Sequence, residues 1–158
     1  MSDSAIAVVV WRRGDQPFLD RKYTRAHQWQ FDGITVEASS SPAVVRVPLS
    51  RTDAVDPEEA LCASLSACHM LFFLDFAARA GFRIDEYRDE IRATMTKNEV
   101  GKTWVSRIVL HPDVTFSGDK RPTEADVAGL HHKSHLECFI ANSLRTEVVI
   151  DTVPPRFA

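Results

Sequence analysis

Cysteine, glycine and any surplus of positive charge are scarce in this chain. Only three of its 158 residues are cysteine and six are glycine. Three thiols, an odd number, argue against a closed disulfide framework and leave buried, metal-bound or catalytic thiols as the options. Gly14, Gly33 and Gly101 stand alone as turn residues, so no glycine-rich loop is present to cradle a phosphate. The formal net charge is -3 with acids and bases interspersed. Without a basic stripe, nucleic acid is not an expected partner. The opening MSDSAIAVVVWRRGD has no basic segment, apolar run and small-residue cleavage site of the leader type, and no stretch reads as membrane-spanning. The expectation is a soluble, cytoplasmic protein with no membrane partner. There is also no CxxC pair, no HExxH and no G-x-S-x-G elbow.

What is present, at 44% hydrophobic residues, is enough apolar material for one domain spanning residues 1–158. AIAVVVW, HQWQF, ITVEAS and AVVRVPL carry strand signals, the middle pair joined at Asp32-Gly33. At Asp56-Pro57-Glu58-Glu59 the pattern changes: Asp56 suits an N-cap, Pro57 the first helical position and Glu59 the return arm of a capping box. From Ala60 to Ala80 the helix is apolar on nearly every face, with Gly81 as its stop. At about 1.5 Å per residue it spans roughly 35 Å. Burying such a helix all round asks for a second subunit. YRDEIRATMTK and TWVSRIVLHPDVTFS follow as two long strands joined across 98–101, then a helix capped by Thr123 and Asp126 running to about Ser143, then a strand in TEVVIDTV. The class is α+β.

Two stretches hold the chemistry. EEALCASLSACH (58–69) carries Cys62 and Cys68; HHKSHLEC (131–138) carries three histidines and Cys138. Six residues of helix put Cys62 and Cys68 far round from each other, so they neither pair nor share a metal. Cys62 reads as core filler. Cys68 lies three turns past the helix cap, where the dipole has little effect, so a reactive thiolate there needs a cation from elsewhere. His69 points about 100° away from it and reads as a structural or interface residue; His132 reads as solvated. His131, His135 and Cys138 follow i, i+4, i+7 spacing and with Cys68 offer a possible zinc ligand set, or a half-buried helix face.

DPEEALCASLSACHMLFFL resembles the N-P-E-x-L-x-x-A-x-x-x-C helix of the OsmC/Ohr family, and SHLECFIANSL its A-H-x-x-C-x-x-x-N-S/A motif. The resemblance runs over most of the chain and implies an OsmC-like fold: curved antiparallel sheets around a long central helix in an intertwined homodimer. It further implies a cofactor-free thiol peroxidase that reduces organic hydroperoxides. Cys68 is similar to the peroxidatic cysteine, Cys138 to the resolving cysteine and Glu58 to the active-site glutamate. Arg25 matches the family's arginine, with Arg21 as the weaker candidate, and Glu58 would hold Arg25 in a bidentate pair. Peroxide would oxidise Cys68 to a sulfenic acid, Cys138 would close a disulfide, and an external dithiol, possibly lipoyl-type, would reopen it. Glu58 and Cys68 lie roughly 15 Å apart along one helix, too far for one arginine to bridge; if the two central helices cross antiparallel in the dimer, Glu58 of one subunit approaches Cys68 of the other. Phe139, where many members have proline, and His69, where Phe is common, point to a less characterised OsmC-like branch. The alternative is a zinc-binding or redox-sensing module using Cys68, Cys138 and His135 without rapid turnover.

Overall fold

Asp56 Oδ1 accepts the Glu59 N–H at 2.8 Å, and Glu59 Oε2 accepts the Asp56 N–H at 3.2 Å. This is the expected capping box, and Pro57 takes the first helical position, where no N–H is needed. In the computed structural model, which describes residues 4–158, the resulting helix α1 covers Pro57–Arg79. The first three residues, part of the stretch read as lacking a leader, lie outside the described region. Gly81, at φ 79°, ends the helix as the Phe82 N–H turns back to the Ala77 carbonyl at 2.9 Å.

The chain forms two compact units, one ending at Ala60 and the other covering Leu61–Ala158. In the first, β1 (Val8–Val10), β2 (His27–Phe31) and β3 (Ile34–Ala38) make an antiparallel meander, with Gly33 at φ 76° in the β2–β3 turn. AVVRVPL, expected as a strand, is not one. The Val44 and Val45 N–H groups both turn back to the Ser41 carbonyl, at 3.0 and 2.9 Å. Pro42 and Pro48 remove two of the N–H donors a ladder would use.

In the second unit each expected long strand is split in two. The pieces are β4 (Arg83–Asp89), β5 (Arg92–Lys97), β6 (Thr103–Leu110) and β7 (Pro112–Ser117). The break has a local cause: Asp89 Oδ1 accepts the His111 N–H at 2.7 Å, and Asp89 Oδ2 accepts the Ser66 hydroxyl at 2.5 Å. A side chain thus takes the place of a ladder partner, and the hairpin feeds two sheets. After α2 (Glu124–Glu137) and the short α3 (Phe139–Asn142) come β8 (Glu147–Ile150) and β9 (Arg156–Phe157). The sheet orders are β4-β7-β9 and β5-β6-β8, with β8 and β9 added in parallel. The second helix was expected to run on to about Ser143, but it breaks at Cys138, whose ψ of 112° is extended.

Helix α1 buries Cys62, Leu65, Ser66, His69, Phe73 and Ala77. The last four apolar or aromatic positions of that face, 65, 69, 73 and 77, recur every four residues, the spacing of one helical stripe. Phe73 and Ala77 pack with Val114, Phe116, Val127 and Leu130; Cys62 and Leu65 pack with Ile108, Leu110 and Cys138. The opposite face is open: Ser64, Ala67, Leu71 and Asp75 are exposed, Leu71 at 63%. Burial all round is therefore not achieved within one chain. In length and composition α1 is also sufficient to cross a membrane, which corrects the sequence reading. The charges gather at its ends, in Glu58, Glu59, Asp75 and Arg79, and leave the stretch between them uncharged.

Candidate thiol site

The break at Cys138 places a sulfur where two helices meet. The Cys138 N–H still donates to the Ser134 carbonyl at 2.9 Å, closing α2, while its Sγ accepts the Ala141 N–H at 3.3 Å and caps α3. The side chain is fully buried, its thiol reaching the Leu65 carbonyl at 4.0 Å, and Cys68 packs against the same buried cluster. Burial pushes the Cys138 thiol up to about 11; the Ala141 N–H opposes that, and the Cys68 thiol adds to it. At pH 7 about one molecule in 10⁴ carries the Cys138 thiolate. Cys138 in this setting is thus a poor nucleophile at pH 7.

Cys68 is half-buried and opens on a cavity of about 520 Å³ lined by Ser64, Ala67, Leu71, Phe72, Asp75, Phe139 and Ile140. Phe139 meets Phe72 edge-on at 5.3 Å and is 73% exposed. Apart from Asp75 and Ser64 the wall is apolar, suited to an alkyl or aryl group rather than to a small hydrated molecule. Sequence reasoning named neither Phe72 nor Phe139 as a wall; Phe139 stands next to Cys138 and was noted only as a departure from proline.

The first unit has its own cavity, of about 540 Å³, and both expected charged residues line it, Arg25 and Glu58. Trp11, Phe18 and Tyr23 form an aromatic wall, with Phe18 and Tyr23 stacked at 4.7 Å. The Arg25 guanidinium lies 3.9 Å over the Tyr23 ring and donates to the Tyr23 carbonyl and, at 3.1 Å, to the Arg21 carbonyl. Arg21 therefore serves through its backbone, which it presents at φ 64°. The bidentate Arg25–Glu58 pair is not formed here: the guanidinium is engaged by carbonyls and a ring face instead.

The histidines of the second stretch go separate ways. His131 is buried and its Nδ1 lies 2.9 Å from His69 Nε2, while His132 is exposed. Among the described residues no three His, Cys, Asp or Glu side chains are grouped to hold a metal ion. The zinc alternative built on Cys68, Cys138 and His135 therefore has no ligand set in this structure. Cys62 sits in the same buried cluster as Cys138, in keeping with a core role.

These features are those of one family. The model of the OsmC-like proteins matches residues 50–153, and the chain belongs to that family, whose members are generally small and soluble. A solved OsmC-like protein of unknown function from Vibrio cholerae is 46% identical, with a TM-score of 0.94 over 96% of this chain and 100% of that one. The fold is shared more distantly by two organic hydroperoxide resistance proteins. That of Elizabethkingia anophelis is 16% identical with a TM-score of 0.68, over 100% of this chain and 99% of that one. That of Bacillus subtilis is 15% identical with a TM-score of 0.59, over 99% and 98%. No curated protein matches the sequence.

Proposed function

We propose that the chain, acting as a single OsmC-like domain over residues 1–158, is a thiol-dependent peroxidase for organic hydroperoxides. The observation that carries this reading is a pair of thiols with opposite settings at one buried cluster: Cys68 opens on an apolar cavity, and Cys138 is buried behind it with its proton held tightly. The Cys68 thiolate attacks the distal peroxide oxygen, the O–O bond breaks and the alcohol leaves. Cys68 is left as a sulfenic acid. Cys138 then attacks that sulfur, water departs and a Cys68–Cys138 disulfide forms; a dithiol, possibly lipoyl-type, reduces it by exchange. On the family motif, Arg25 serves as the cation of the thiolate site and Glu58, which lines the same cavity as Arg25, as its acidic companion. The exposed stripe of α1 favours a homodimer, and the protein works in the cytoplasm.

One equivalent of cumene hydroperoxide, followed by peptide mass spectrometry, tests the reading. Wild type is expected to give the Cys68–Cys138 disulfide, the Cys138→Ser variant a trappable sulfenic acid at Cys68, and the Cys68→Ser variant no oxidation of Cys138. If Cys68 stays reduced at stoichiometric hydroperoxide, the peroxidase reading is wrong.

A further inference from the structure

His69 follows Cys68 directly on α1, and His131 lies two turns before Cys138 on α2. Both imidazoles are buried, at 1% and 2% exposure, and are joined at 2.9 Å with their planes 10° apart. Phe73 stacks on His131 at 4.2 Å, and Tyr87 lies 5.5 Å from Phe73 and 6.4 Å from the His131 ring, so His131 sits in an aromatic surround. The His131 Nε2 atom is buried and makes no hydrogen bond among the described residues. Only the His69-facing nitrogen is satisfied. An aromatic residue could fill either position with comparable volume, so packing alone does not call for imidazole. What the pair adds is direction: a hydrogen bond in an apolar surround is met at one separation and angle, whereas an apolar contact slides.

Near the other end of this contact the Cys138 thiol reaches the Leu65 carbonyl of α1 at 4.0 Å, and Cys68 packs against the cluster that holds Cys138. Phe73 and Ala77 of α1 also pack on Val127 and Leu130 of α2, but those apolar contacts set no single angle; the imidazole hydrogen bond adds a directional restraint on the rotation of α1 relative to α2. We propose that His69 and His131 are a positioning pair that holds Cys68 and Cys138 at the approach needed for disulfide closure. The inference rests on the two-thiol chemistry proposed above and assigns it a further pair of residues, neither of which touches the substrate.

The test is equilibration of the reduced protein with glutathione disulfide and glutathione at pH 7.5. There, two protein thiols and one glutathione disulfide give the Cys68–Cys138 disulfide and two glutathione thiols. The ratio yields the effective concentration of one protein thiol at the other. His69→Phe and His131→Phe are each expected to lower it roughly tenfold, which for a two-electron couple is about 30 mV in potential. His69→Gln, which can still hydrogen-bond His131, is expected to recover most of the loss. Leu130→Ala, a cavity in the neighbouring core, is expected to lower the melting temperature yet leave the effective concentration within about twofold. The proposal is overturned if both Phe variants stay within twofold of wild type or rise above it, or if Leu130→Ala falls as far as they do. Because no hydroperoxide enters this equilibrium, a chain inert to hydroperoxides can still pass it, and an active peroxidase can still fail it.

Discussion

Acidifying the protein from pH 7 to pH 4.5 should cost it a large part of its stability through two residues. Burial holds His69 down to about 4 and His131 down to about 3, from an ordinary value of 6.5; each is also disfavoured by a neighbouring imidazole, His135 for the first and His69 for the second. The native state therefore declines protons that the unfolded chain accepts below pH 6.5. Stability is full above that value and falls as pH drops toward 4. Each histidine contributes about 1.4 kcal/mol per pH unit in this window, so two units cost roughly 3 kcal/mol each and on the order of 5 kcal/mol together. A domain with a total of about 5–15 kcal/mol would feel this as near-collapse or as a marked weakening. The groups facing the pair do not rescue it. His135 is itself a base, and Tyr87 is held in its neutral form by burial and by Asp89, whose carboxylate is engaged by Ser66 and His111. Urea unfolding at pH 7.5, 6.0 and 5.0 reads the effect, with His69→Phe as the comparison. The variant should lose about one histidine's share of the slope between pH 6 and 5, about 1.4 kcal/mol. Superimposable slopes for the two proteins would refute the reasoning, because the acid sensitivity would then arise elsewhere.

Two further outcomes follow from local geometry. Asp56→Ala removes the oxygen that accepts the Glu59 N–H and should lower stability by about 1 kcal/mol, seen as a shift in the urea midpoint with unchanged slope. Arg25→Met keeps much of the stem while removing the charge; it should slow oxidation of Cys68 by cumene hydroperoxide roughly tenfold or more at pH 7, measured by stopped-flow.

Much of this molecule is legible in its sequence, for identifiable reasons. The start of α1 is set by four adjacent residues whose capping bonds are local, and its end by a glycine at positive φ. The proposed pairing of Cys68 with Cys138 came from motif resemblance, since they lie seventy positions apart and no helical or strand period bridges that gap. What was misread depended on side chains reaching across the chain or on missing donors. Asp89 breaks a hairpin by taking the His111 N–H, and two prolines turn AVVRVPL away from a sheet. The break in α2 is likewise invisible in SHLECFIANSL, which contains neither glycine nor proline. His69 was read as a structural or interface residue, but its partner was not found. The fold puts it on the inward stripe with Leu65, Phe73 and Ala77, opposite His131.

The sulfur of Cys138 caps a helix while it is reduced, by accepting the Ala141 N–H at 3.3 Å. A sulfur that bonds covalently to Cys68 has less electron density to offer and must turn toward its new partner. Under the disulfide chemistry proposed above, the amide of Ala141 becomes a gauge of oxidation state: its resonance should move when the thiols close. The four residues of α3, too short to stand without that cap, are then the backbone segment that registers the change.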